Sequence, residues 1–389
     1  MSFKNLPYYF FLIALLFFGL FFFVENHNES FLLNDFKVYY SASQAILDGG
    51  QPYGVAYGLG SGFFKYSPFA ALFIFSPYTL FSFETAKVLH FIVITIFSIG
   101  TFLLCFQLSN CYFESKLTKR IGFLSLLLLI AAVHLTREMH MGNINMIMLF
   151  VFLLAICFLI DKKTIWSAVL FATLVLLKPY FLILILPLVI SKKWKLIGWI
   201  FAFLLILILL PALIVGFDEN VVLLKNWVIT MSDHNSGMIS EHTFTSIFYS
   251  FSRIKLSTNW QYIFILLVGT IYILLRFKEF FGKQVYSDKK MLLDFFILLA
   301  LIPNLVITDS EHFLFSLPLI AFILGYLKQK WNVYLVSVFT LLLFFYGANS
   351  NDLIGNPLSD KLDTYSTIGL ANLGLIFLLI FLVRKKELY

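Results

Sequence analysis

The run "VLHFIVITIFSIGTFLLCFQL" (Val88–Leu108) contains no charged residue. As an α-helix rising about 1.5 Å per residue it reaches roughly 30 Å, the thickness of a bilayer's hydrocarbon core. Similar runs recur at Tyr8–Val24, Leu196–Val215 and Ile368–Val383. The chain has 389 residues, 60% of them hydrophobic and 13% charged, with a mean hydropathy of +0.91. A soluble domain is instead roughly half apolar and a quarter charged. The sequence therefore predicts an integral membrane protein. Barrel strands would be short and alternating, so an all-α architecture follows.

The apolar runs suggest about twelve spans, near 8–24, 84–108, 121–135, 144–160, 165–177, 180–190, 196–216, 259–276, 291–308, 312–327, 331–347 and 366–383. Ser67–Phe81 is apolar but short and holds Pro68 and Pro77, which predicts a re-entrant or interfacial hairpin. No small-residue cleavage site follows Val24, so the first run is expected to be a retained helix.

With these spans, most of the 28 Lys and Arg fall on one side. They lie at Lys4 and in Glu114–Arg120, Asp161–Lys163, Ser191–Lys195, Arg276–Lys290, Lys328–Lys330 and Arg384–Lys386. The positive-inside rule makes that side cytoplasmic, with both termini on it. The other side receives the long loops Glu25–Tyr66, Phe217–Thr258 and Ala348–Tyr365, most of the acidic residues and all seven histidines. The expected organisation is one polytopic membrane domain, 1–389. It has a first outer loop at 25–83 that carries an interfacial helix and the hairpin, and a large outer loop at 217–258. This sorting accounts for the net charge of +7 without a nucleic-acid partner. Cys105, Cys111 and Cys157 fall on the reducing side, so no structural disulfide is expected. The sequence has no C-x-x-C or H-E-x-x-H pattern, and neither a metal nor another cofactor is expected.

The polar content of the first outer loop is ordered. In "NDFKVYYSASQAILDGGQPY" (Asn34–Tyr53), Lys37, Ser41, Gln44 and Asp48 form one helical stripe, while Phe36, Tyr39, Tyr40, Ile46 and Leu47 line the other side. Such a helix lies at a membrane surface, and Gly49-Gly50 and Pro52 end it. Asp35 projects with Val38, Tyr39 and Ala42 at the border of the apolar face. It has two open readings: a cap for the helix N-terminus, together with Asn34, or a carboxylate aimed into a membrane-level cavity. "HLTREMHMGNIN" (His134–Asn145) places Arg137, Glu138, His140, Asn143 and Asn145 in a short outer turn, denser in charge than a plain turn needs. Lys178 stands between two apolar runs and before Pro179. There a charge either snorkels to the interface or serves a partner. In the large outer loop, Trp227, His234, Asn235, Glu241 and His242 are candidates for hydroxyl or headgroup contacts, with Trp227 equally suited to an interface belt.

The order "DFKVYYSASQAILDGGQPY", "FKYSPFAALFIFSP" (Phe64–Pro77), "GNIN" (Gly142–Asn145) and "LKP" (Leu177–Pro179) resembles glycosyltransferase family 87. The resemblance covers roughly the first 200 residues, and beyond them only hydropathy and "DSEHF" (Asp309–Phe313). It implies a polytopic GT-C fold and a polyprenyl-phosphate-mannose-dependent mannosyltransferase in the cell inner membrane, with its active site facing the periplasm or exterior. The aspartate of the first outer loop, here Asp35, would be the catalytic base. Family members usually show Gly-Gln-x-Asn where this chain has Gly142-Asn143-Ile144-Asn145.

The implied chemistry needs two kinds of group. One is an ionised carboxylate to take the acceptor proton, a role that typically contributes about 10² to 10⁴-fold. The other is a cation or N–H donor for the departing lipid phosphate. Asp35 is the candidate base, and Lys178, Arg137, His312 and Arg253 are the candidate phosphate ligands. Tyr39, Asn143, Asn145, Glu241, His242 and Glu311 are candidates for the acceptor or sugar. Two competing classes are a transporter or flippase of a lipid-linked sugar and a silent scaffold. A transporter favours charged or broken helices at the membrane midplane and internal repeats, whereas these span centres are nearly uncharged and show no repeat.

Overall fold

In a computed structural model the structure describes residues 8–58, 62–113, 120–237, 242–257, 259–282, 286–306, 309–347, 350 and 354–384. The described residues are helical apart from turns, extended connections and one isolated antiparallel bridge, Ala56 to Phe63. Six helices are long and apolar enough to cross a membrane: Tyr8–His27, Phe83–Phe113, Ile121–Met141, Trp194–Val215, Ser310–Gln329 and Thr367–Arg384. Several shorter apolar helices accompany them, among them Asn145–Ile160, Thr164–Leu177, Asn259–Leu275 and Val333–Tyr346. The chain is an all-helical membrane protein.

Its contacts divide it into two compact units. One comprises Phe18–Thr101 and Thr136–Met238, and the other Met1–Phe17, Phe102–Leu135 and Ile239–Tyr389.

In the first unit, α1 (Tyr8–His27) leads through a short connection to α2 (Asn34–Leu47). Pro77 lacks the N–H that would continue an α-helix, and in such a helix its ring would crowd the Phe73 carbonyl. The turn before it opens into a π-helix, Ala70–Phe75, followed by a 3₁₀-helix, Ser76–Leu80. Both pack against α2. Next come α3 (Phe83–Phe113) and α4 (Arg120–Met141), which like α1 contribute residues to both units, then α5 (Asn145–Ile160) and α6 (Thr164–Leu177). Lys178 precedes Pro179, which excludes the helical region, and it is extended at φ −143°, ψ 107°. A 3₁₀ segment, Pro179–Ile185, then leads to α7 (Leu186–Ile190). Here α5 packs on α6, and α6 on α8 (Trp194–Leu209). After α9 (Ala212–Val215), α10 (Phe217–Gly237) carries Trp227, whose indole N–H donates to the Lys65 carbonyl at 3.0 Å. Trp227 therefore braces the first loop. Ile46, Leu47, Ile214, Val215, Glu219 and Leu223 line a cavity of about 190 Å³ at the end of α2.

The second unit holds α11 (Phe244–Ser252), α12 (Asn259–Leu275), α13 (Phe277–Phe281), α14 (Asp288–Leu305), α15 (Leu317–Gln329), α16 (Val333–Tyr346) and a C-terminal helix, Thr367–Arg384. Buried amides tie α14 to the C-terminal helix. Asn372 Nδ2 donates to Asn304 Oδ1 and the Ala300 carbonyl, both at 2.7 Å. The Arg276 guanidinium grips Asp294 at 2.8 and 2.6 Å, and the hydroxyls of Tyr272 and Tyr286 donate to the same carboxylate.

Candidate active site

Helix α2 buries Phe36, Val38, Tyr39, Ala42, Ser43 and Ile46, and exposes Lys37, Gln44 and Asp48. Leu47, placed on the apolar side by its periodicity, is exposed. The last turn of the helix lies against the cavity, which Ile46 and Leu47 help to line. The capping position falls on Leu33, in the left-handed region at φ 46°, and not on Asn34 or Asp35. Asp35 sits in the first helical turn, half-buried. The positive end of the helix dipole there favours its negative charge.

Phe36 anchors this turn. Its ring stacks on His90 with centroids 4.1 Å apart, and His90 Nε2 meets the Gly142 carbonyl at 3.0 Å. A carbonyl only accepts, so Nε2 carries the proton. Gly142 has φ +69°, and a Cβ on it would lie 2.9 Å from Leu33 Cβ and 3.0 Å from Phe36 Cβ. Only glycine combines that backbone with that approach. The close approach delivers Asn143, whose Nδ2 donates to Asp35 Oδ2 at 3.0 Å. Asn143 Oδ1 accepts the Ile144 N–H at 2.8 Å and the Tyr39 hydroxyl at 3.2 Å.

Tyr39 and Tyr66 bring their hydroxyls to 3.2 Å, with Tyr39 stacked on Phe75. Burial foremost, then the neighbouring Tyr66 and Asp35, holds the Tyr39 phenol well above its ordinary value, so it remains a protonated donor. The Tyr66 carbonyl accepts from the Tyr53 hydroxyl at 2.9 Å. Lys178 Nζ lies over the Tyr66 ring at 4.9 Å and 6.0 Å from the Tyr180 ring, a half-buried cation on an aromatic face.

The stretch His134–Asn145 is not the short turn its charges suggested. α4 continues to Met141, and only Gly142 to Ile144 break the helix. Glu138 is the reason. It is fully buried, and its carboxylate accepts the Met146 N–H at 2.9 Å and Asn145 Nδ2 at 2.8 Å. It thereby serves the start of α5, where Ile144 supplies no side-chain cap. Arg137 is exposed, and His140 pairs with Glu25 at 2.8 Å.

Asp35, Tyr39, Asn143 and Lys178 thus form one cluster joined through Tyr66, while Asn145 turns to Glu138. The second unit holds four other candidates. His242 is buried, with Nε2 at 3.9 Å from Asp363 and its carbonyl accepting from Asn304. Glu311 and His312 are buried in a 3₁₀ segment, Ser310–Ser316, and Arg253 is exposed at the end of α11. Glu241 lies outside the described residues, as do the side chains of His234 and Asn235. Among the described residues no three His, Cys, Asp or Glu side chains group to hold a metal ion. Sequence reasoning missed Tyr66, His90 and the burial of Glu138. Their one local signal was the presence of polar and aromatic residues in stretches otherwise apolar.

Fold and site together define a helical membrane protein that keeps a carboxylate and two phenols in one hydrogen-bonded cluster, with a lysine seated on the ring of one phenol. A sequence model of glycosyltransferase family 87 matches residues 63–308. The chain belongs to that family and is a glycosyltransferase. The matched range takes in Tyr66, Asn143 and Lys178 but begins after Asp35, and it runs well beyond the first 200 residues. No curated protein matches the chain.

Proposed function

We propose that the protein is an inverting hexosyltransferase of GT-C type that moves mannose from a polyprenyl-phosphate donor to a lipid or glycan hydroxyl on the outer face of the cell inner membrane. Asp35 takes the proton from the acceptor hydroxyl. The acceptor oxygen forms a bond to the anomeric carbon as the bond from that carbon to the phosphate oxygen breaks. The electron pair leaves with polyprenyl phosphate, whose charge Lys178 stabilises.

The observation that carries this reading is the Asn143 bond to a half-buried Asp35, with Lys178 seated on the adjoining Tyr66. On this reading α2 lies at the membrane surface and brings Asp35 to the depth where a lipid phosphate meets water, with Lys178 joined to it through Tyr66. The closing experiment supplies polyprenyl-phosphate-[¹⁴C]mannose and a membrane lipid extract to the purified full chain. Labelled acceptor together with released polyprenyl phosphate supports the proposal. Entry of the intact donor into proteoliposomes with no bond made would replace it with transport.

A further inference from the structure

Asn143 has two faces and each fixes the other. The Ile144 N–H can only donate, so the amide atom 2.8 Å from it is the oxygen. The opposite atom, 3.0 Å from Asp35 Oδ2, is then the NH₂ group, which is what a carboxylate requires. The Tyr39 hydroxyl donates to the same amide oxygen at 3.2 Å and reinforces that orientation. Tyr39 and Asn143 are both buried, at 5% and 3% exposure, too enclosed to grip a sugar directly. Tyr39 is clamped between Phe75, at a centroid distance of 4.6 Å, and Tyr66.

From this geometry we infer that Asn143 is a positioning residue for Asp35, and that Tyr39 acts through Asn143 by locking its amide. Two residues that sequence reasoning set aside for the acceptor or sugar are thereby reassigned to the orientation of the base. The inference rests on the reading of Asp35 as that base.

The test is steady-state transfer by full-length Asn143→Ala, Tyr39→Phe and the double variant, with Asp35→Asn in parallel. Losing a hydrogen bond to a charged group lowers kcat by about ten- to a hundredfold, and losing the neutral Tyr39 bond by about tenfold or less. Both KM values stay near wild type, because the ground-state contacts are untouched. The double variant is no slower than Asn143→Ala alone, since on this inference the effect of Tyr39 on Asp35 runs through the Asn143 amide and not through its second partner, Tyr66. Tyr39→Phe keeps ring and volume, so it carries the test where Asn143→Ala fails to fold. A raised acceptor KM with kcat retained, additive losses in the double variant, or an unchanged kcat in Tyr39→Phe each overturn the inference. An active Asp35→Asn overturns the reading of Asp35 as the base, on which the inference rests. An inactive Asp35→Asn beside a fully active Asn143→Ala overturns the positioning role alone.

Discussion

Gly142 lies so close to Leu33 that a Cβ on it would stand 2.9 Å from Leu33 Cβ. The α4–α5 break is thus fitted against the residue that begins the Asp35 helix. Gly142→Ala adds a left-handed strain of about 1–2 kcal/mol and pushes Leu33 and Phe36 away. The displaced first turn carries Asp35 with it. Transfer falls at least tenfold in protein that still elutes as a folded species in detergent, because a misplacement of about 1 Å can cost about 10²-fold. Rates and size-exclusion profiles measured on one preparation check this.

Glu138→Ala removes the acceptor from the Met146 N–H and from Asn145 Nδ2, both inside the protein. Each buried group left unsatisfied costs about 1–3 kcal/mol. Thermal unfolding in detergent should show a clearly lowered Tm, with Glu138→Gln in between because its amide oxygen still accepts one bond. An unchanged Tm in the alanine variant would mean that Glu138 does not hold the start of α5.

Much of the helical fold was legible, since each of the twelve apolar runs falls on helix among the described residues, though six helices are long and apolar enough to cross a membrane, and Pro77 and Pro179 break the chain where their chemistry requires. The stripe Lys37, Gln44 and Asp48 also reads directly from periodicity. The cluster was legible only in part. Asp35, Asn143 and Lys178 stood out as polar groups in apolar surroundings. The cluster's links join Asp35 to Asn143, 108 residues apart in sequence, and Tyr39 to Tyr66 and Asn143, 27 and 104 apart, which no local pattern encodes. Glu138 read as one charge of an outer turn, because the start of α5, which draws it inside, lies on a separate helix.

Asp294 is almost wholly buried, and it pairs with Arg276, whose side chain stays 21% exposed. Asp294→Asn removes the closer of the guanidinium's two carboxylates and leaves Glu279 at 3.7 Å. Breaking a buried pair costs about 3–5 kcal/mol, and Arg276's remaining access to water sets the expectation at the lower end, about 3 kcal/mol. The measurement is the Tm of the variant, with the cluster around Asp35 intact in both proteins.

Tyr39 and Tyr53 both have phenols raised well above the ordinary value, chiefly by burial. The unfolded phenols ionise near pH 10 while the folded ones stay protonated, so the folded state binds more protons above that pH. The stability they contribute is complete below about pH 10 and falls as pH rises through the window between the two values. Alkaline unfolding followed by tyrosinate absorbance should therefore be shallower in Tyr39→Phe.

The most direct measurement compares mannose transfer from polyprenyl-phosphate-mannose by wild type and Asp35→Asn at matched expression and folding. The amide keeps the shape and cannot take the acceptor proton, so the account predicts retained donor binding with transfer reduced by about 10² to 10⁴-fold. Transfer at the wild-type rate in Asp35→Asn would contradict it and return Asp35 to a structural role at the start of α2.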